Sequence, residues 1–96
     1  MLTWFVYDIS EDRARQKIAD KAIELGLYRV QKSVFLGNIE KNTAEEILLY
    51  SEEKIDADND SVFMFPMCQE DFEKVEIRGE AFDKAKINDE LDTMVI

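Results

Sequence analysis

Ninety-six residues suffice for one small domain with a real core, but they leave little stability in reserve. A hydrophobic fraction of 46%, with aromatics spread over three separate stretches, excludes a disordered chain, and no apolar run nears the roughly 20 residues that cross a bilayer. The formal charge of −10 excludes a general nucleic-acid binder of the basic kind, because phosphate contacts are made by Lys and Arg.

Leu2-Thr3-Trp4-Phe5-Val6-Tyr7-Asp8 reads as a buried strand that delivers a carboxylate to its end, with Trp4 and Val6 on one face and Phe5 and Tyr7 on the other. The start lacks the basic stretch and small-residue cleavage site of a signal peptide, so a cytoplasmic location is expected. Ser10, Glu11 and Asp12 suit a helix start, and Ala14, Ile18, Ala22 and Leu25 recur at helical spacing over Asp12 to Leu25. Gly26 suits the left-handed residue that ends this helix. From Leu27 to Leu36 the residues alternate with period two, which predicts one second strand, then a turn at Gly37-Asn38 and a short third strand at Ile39-Glu40. Thr43 with Glu46 offers a capping box for a second helix whose inner face holds Ile47, Leu48, Ser51 and Ile55. Asp56 to Asp60 is an acidic loop without the glycine and distal glutamate that a calcium loop requires. Val62-Phe63-Met64-Phe65 is again apolar on both faces, with Pro66 near its end. A helical turn from Glu70 to Lys74 and a short strand from Val75 to Gly79 complete residues 1–79. An acidic C-terminal segment, residues 80–96, follows. Cys68 has no cysteine to pair with and no histidine to activate it, and reads as a small core filler.

Strand, helix, strand, short strand, helix, strand is the order of an α+β, ferredoxin-like βαββαβ sandwich, an antiparallel sheet with two helices on one face. The first and last strands, apolar on both sides, are expected at the centre. Two helices cover one face only, so the other face is expected to be buried against an identical copy, giving a homodimer through the sheet face.

The absence of histidine excludes a Ser-His-Asp triad, and three scattered glycines exclude a phosphate loop. Carboxylate chemistry remains. Asp8 at a strand end suits a hard metal ion, a helix cap or plain solvation, and spacing does not choose among them. In a two-fold dimer the two copies of Asp8 would share one magnesium ion, which activates water and polarises a phosphate. Residues 1–38 carry six basic and five acidic side chains, whereas residues 39–96 carry six and seventeen. Arg13, Arg15, Lys17, Arg29 and Lys32 in the first part therefore suit a phosphate backbone, the alternative being a solvated helix face and strand rim.

Tyr7-Asp8-Ile9-Ser10, Arg15 seven positions after Asp8, the stretch Gly26 to Phe35, and Asp60-Ser61-Val62-Phe63 leading to Pro66 together resemble the CRISPR-associated endonuclease two family, in its order and spacing over residues 2 to 79. The resemblance implies a homodimer that joins the CRISPR integrase in spacer acquisition, and in some members cleaves single-stranded RNA or double-stranded DNA with magnesium. It implies Asp8 as the metal ligand, and places Tyr7, Arg15, Arg29 and Phe35 with Asp8 at positions tied to cleavage. Lys17, where an arginine often stands, and Arg13, Lys32 and Ser33 fall beside the nucleic acid. In the family the C-terminal region often crosses to the partner subunit, which residues 80–96 are expected to do. Two other readings stand beside the nuclease: a non-catalytic adaptor of the integrase–DNA complex, and a related stand-alone toxin-type endoribonuclease.

Overall fold

A computed structural model describes residues 1–76 and residue 78. Strand β1 (Leu2–Asp8) is followed by helix α1 (Asp12–Glu24), strands β2 (Tyr28–Gln31) and β3 (Val34–Asn38), helix α2 (Lys41–Lys54), strand β4 (Ser61–Met67) and a short helix α3 (Gln69–Glu73). The strands form one antiparallel sheet in the order β2-β3-β1-β4, the ferredoxin-like arrangement that the element order predicts. β1 is central, but among the described residues β4 is an edge strand, contrary to expectation. Its apolar outer face explains the misreading: Phe63 and Phe65 are 53% and 45% exposed. Pro66 is tolerated there because an edge strand can lack a ladder donor.

The alternation of β1 divides the core in two. Phe5 and Tyr7 point into a cluster with Ala14, Ile18, Ala19 and Ala22 of α1 and Ala44 and Ile47 of α2. Leu2 and Trp4 join a second cluster on the opposite face, with Val30, Leu36 and Phe72. Phe72, fully buried, comes from α3, whose ring sits 6.2 Å from that of Trp4. A third helix therefore covers part of the face expected to be bare. Cys68 is not a core filler: it is exposed, and its Sγ caps α3 by accepting from the Asp71 N–H at 3.4 Å.

Residues 27 to 36 form a hairpin rather than one strand, with a register shift between Arg29 and Gln31 and a turn at Lys32-Ser33. The turn contains no Gly, Pro, Asn or Asp, so period-two alternation runs through it unmarked. Gly37 and Asn38, expected to turn, lie within β3 opposite Thr3 and Leu2. Gly37 is needed for close approach, since a Cβ there would stand 2.7 Å from Leu27 Cδ2. No strand forms at Ile39-Glu40; Glu40 is the N-cap of α2, which starts before the expected capping box and has no side-chain cap. Inside α2 the buried Ser51 hydroxyl donates to the Ile47 carbonyl at 2.8 Å. Val75 and Glu76 lie in no strand, and the rest of the short strand expected to Gly79, like segment 80–96, lies outside the described residues apart from Arg78. Among the described residues no helix is long and apolar enough to cross a membrane.

Helix α1 stops as predicted. Gly26 has φ +102°, its N–H donates to the Ile23 carbonyl, and the Leu27 N–H donates to the Ala22 carbonyl, both at 3.0 Å. These paired bonds satisfy the last turn and send buried Leu27 onto it. In Gly26→Ala the added methyl meets nothing within 4 Å, so the cost is conformational. It is about 1–2 kcal/mol. Thermal melting should drop by about 4–8 °C for each kcal/mol; an unchanged melt would mean that the backbone there relaxes without strain.

Candidate functional site

At the end of β1 the strand alternation turns Tyr7 inward and Asp8 outward, one residue before the chain bends into α1. A cleft of about 750 Å³ opens there between the β1–α1 loop and the β2–β3 turn, lined by Tyr7, Asp8, Ile9, Asp12, Arg15, Gln16, Arg29, Lys32 and Ser33. Six residues singled out from the sequence, Tyr7, Asp8, Arg15, Arg29, Lys32 and Ser33, thus meet in one place. Phe35 is fully buried beneath them, its ring 5.9 Å from Tyr7 and 5.3 Å from the Arg29 guanidinium. Arg13 and Lys17 are exposed on α1 and do not line the cleft.

Asp8 does not cap α1. The N-cap is Glu11, which makes no side-chain cap bond, and among the described residues no side-chain hydrogen bond or ion pair holds the Asp8 carboxylate. Of the three roles open from spacing, ligand and solvated rim remain.

The two arginines have structural partners. Arg15 Nη1 donates to the carbonyls of Ile9 at 2.9 Å and Ser10 at 3.3 Å, while Nη2 pairs with Asp12. Arg29 donates through Nε at 3.2 Å and Nη2 at 2.7 Å to the Lys32 carbonyl, which also accepts from the Tyr7 hydroxyl at 3.2 Å. Tyr7 N–H donates to the Ser33 carbonyl at 3.1 Å. The hairpin turn, unencoded by its own residues, is thus shaped by β1 and Arg29.

Burial pushes the Tyr7 phenol above its ordinary pKa and outweighs the opposing pull of Arg29 and Arg15. Tyr7 is therefore neutral at physiological pH, its hydroxyl donating to the Lys32 carbonyl. Asp60 and Ser10 both fall in the motifs that carry the resemblance, but Asp60 is not among the expected site residues and the bond between the two has no signal in the sequence. Asp60 Oδ1 accepts from Ser10 N at 3.0 Å and Ser10 Oγ at 2.9 Å, and its Oδ2 accepts from Asp56 N at 3.0 Å. The Asp56 and Ser10 N–H groups hold its carboxyl below the ordinary range. The bond crosses from the β4 entrance to the β1–α1 loop, so no local pattern announces it. Asp12 and Gln16 were also missed, although their spacing of four on α1 from each other is a readable signal.

Asp8 and Asp12 are the carboxylates of the cleft, and among the described residues no three His, Cys, Asp or Glu side chains gather to hold a metal. An oxygen donor such as Asp8 suits a hard cation, but one chain offers too few ligands to enclose it.

Because the folded-state pKa of Tyr7 is raised, its neutral phenol stabilises the fold below the unfolded value near ~10, and this contribution is lost as pH rises through the folded value. Urea midpoints of the protein measured from neutral pH upward should therefore fall more steeply above about pH 10 than those of Tyr7→Phe. Parallel curves would show that the phenol ionises as freely in the folded chain as in the unfolded one.

Residues 1–75 match the family model of CRISPR associated protein Cas2. The chain is similar to CRISPR-associated endoribonuclease Cas2 1 of Archaeoglobus fulgidus, 38% identical over 69 residues that cover 72% of this chain and 73% of the relative. It is 39% identical over 69 residues to CRISPR-associated endoribonuclease Cas2 of Korarchaeum cryptofilum, covering 69% and 71%. Among solved structures, Streptococcus pyogenes Cas2 superposes with a TM-score of 0.71 over 82% of this chain and 100% of its own, at 23% identity, which speaks to the fold. A hypothetical protein from Thermus thermophilus superposes with a TM-score of 0.69 at 28% identity, covering 82% and 90%.

Proposed function

The chain belongs to the CRISPR-associated protein Cas2 family, and on that footing we propose that it is a magnesium-dependent endonuclease, acting on single-stranded RNA or double-stranded DNA as a homodimer in the cytoplasm, that also bridges the CRISPR integrase. The observation that carries the nuclease reading is the Asp8 carboxylate, which opens onto a cleft flanked by three cationic side chains and has no side-chain partner among the described residues. The relatives named endoribonucleases support it.

Asp8 of each subunit would hold the ion, a carboxylate oxygen being the donor type that a hard cation takes. Magnesium, when bound, supplies an activated water and polarises a phosphoryl oxygen. Arg15 and Arg29 keep their charge while their donors fix the two walls, so the cleft stays cationic without mobile guanidinium groups. Lys32 reaches the backbone phosphate from the turn, beside Ser33. Arg13 and Lys17, on exposed positions of α1, extend phosphate contact beyond the cleft. Tyr7 and Phe35 hold Arg29 and the Lys32 turn in place.

Asp8→Asn should lower magnesium-dependent cleavage by more than about 100-fold while melting close to the parent, since no fold contact of the carboxylate is lost. The measurement is cleavage of RNA and DNA strands with and without magnesium; equal activity in the variant would remove Asp8 from the reaction.

The homodimer rests on the exposed Phe63 and Phe65 of β4 beside Val6 on the face opposite α1 and α2. Sedimentation at micromolar concentration should give twice the chain mass of 11.2 kDa, and Phe63→Glu with Phe65→Glu should shift it toward the monomer. A stable, unaggregated monomer of the parent chain would sink the shared site.

A second reading is favoured by the charge division: residues 39–96, with seventeen acidic and six basic side chains, suit a basic protein partner rather than a phosphate backbone, and the cleft arginines are already engaged with carbonyls, which fits an adaptor within the integrase–DNA complex that does not cut. An Asp8→Asn variant that still supports spacer acquisition would favour this adaptor role.

A further inference from the structure

We propose that Asp60 is a positioning residue that, together with Arg15, clamps the β1–α1 loop immediately after Asp8 and so fixes where the Asp8 carboxylate, at the end of β1, sits in the cleft. The inference rests on the nuclease reading of that cleft and adds to it a residue outside the cleft lining.

Ser10 is held from two sides. Its N–H and hydroxyl both donate to Asp60 Oδ1, at 3.0 and 2.9 Å, and its carbonyl accepts from Arg15 Nη1 at 3.3 Å. The same guanidinium nitrogen takes the Ile9 carbonyl at 2.9 Å. Residues 9 and 10 therefore have their main chain fixed by an anion on one side and a cation on the other. Asp60 is itself anchored: its Oδ2 accepts from Asp56 N at 3.0 Å, and its own N–H donates to the Asp56 carbonyl at 2.7 Å. It directly precedes Ser61, the register partner of Asp8. Asp8 is thus bounded by a ladder pair at its own position and by the Asp60–Ser10 bonds two residues on.

A carboxylate is the group this role requires. One oxygen takes two donors from Ser10 while the other takes the Asp56 N–H, and charge-assisted bonds to N–H groups are about twice as strong as neutral ones. Alanine makes none of these bonds. Asparagine retains one acceptor oxygen, enough for the Ser10 donors. Ser10→Ala removes the hydroxyl bond and leaves the backbone N–H bond.

The test pairs a backbone measurement with kinetics in the full-length protein with magnesium. NMR order parameters of Asp8 to Ser10 should be near ~0.85 in the parent chain and fall toward ~0.6 in Asp60→Ala, while those of Phe5 stay unchanged. Cleavage at a temperature where the variant is folded should lose about 10–100-fold in kcat with KM unchanged, Ser10→Ala should lose less, and Asp60→Asn should recover most of the rate. Unchanged order parameters at Asp8 to Ser10 overturn the clamp, as does an unchanged kcat or a loss confined to KM. If Asp60→Ala fails to fold, Ser10→Ala decides by the same two readouts. If the parent chain does not cut, the nuclease reading fails by itself, and the order parameters still uphold or overturn the clamp.

Discussion

Hydrogen bonding along both edges of β1, to β3 on one side and β4 on the other, fixes the strand that every part of the cleft refers to. Its inward side chains, Phe5 and Tyr7, are clamped under the two long helices, and its outward Leu2 and Trp4 under Phe72. A slip of one residue would exchange these two sets and turn Asp8 inward, so the cost of misregister is the cost of both clusters at once. Removing a single buried Phe side chain costs about 3–5 kcal/mol against a total stability of about 5–15 kcal/mol for a domain of this kind. The position of Asp8 is therefore set by packing several residues away.

From this strand the chain builds the cleft walls with cations directed at carbonyls. Arg15 draws in Ile9 and Ser10, and Arg29 draws in Lys32, at distances of 2.7 to 3.3 Å. A guanidinium offers several donors in a fixed plane, so holding a carbonyl leaves its full charge at the rim. The charge acts on neighbours: both arginines favour the ionised form of Tyr7, yet burial among Phe5 and Phe35 prevails and keeps the phenol neutral. Wall structure and cleft electrostatics come from the same two side chains, which is why neither is interchangeable with lysine.

The sequence was legible where structure is local. The helical spacing of Ala14, Ile18 and Ala22, the glycine that ends α1, and the alternation that sends Phe5 and Trp4 to opposite faces are all found in the structure. It was illegible where a distant partner decides. The Lys32-Ser33 turn has only serine, whose hydroxyl is a weak turn former, and depends on Tyr7 and Arg29, so the hairpin read as one strand. Gly37 read as a turn because close packing against Leu27 cannot be seen in the chain order. Asp60 lay hidden because Ser10 is 50 residues away. For the cleft, the resemblance brought Tyr7, Asp8, Arg15 and Arg29 together, while physical patterning alone supplied only the strand end and the charge division.

The third helix changes the argument for a partner copy rather than removing it. Phe72 buries Trp4, Leu2, Leu36 and Val30 within the chain, so among the described residues the exposed apolar surface of this face narrows to β4 and the adjoining part of β1. Phe63 and Phe65 are each about half exposed, and completing the burial of each is worth about 1–1.5 kcal/mol. Four such rings in a two-fold contact would contribute about 4–6 kcal/mol, at the low end of the ~4–15 kcal/mol that association costs in lost freedom. The two phenylalanines alone therefore do not hold a dimer together. A stable pair would need the half-buried Val6, Val34 and Met67 around them as well. The proposed sharing of an ion between two copies of Asp8 would then depend on the same strip, since β1 carries both its inner edge and the carboxylate.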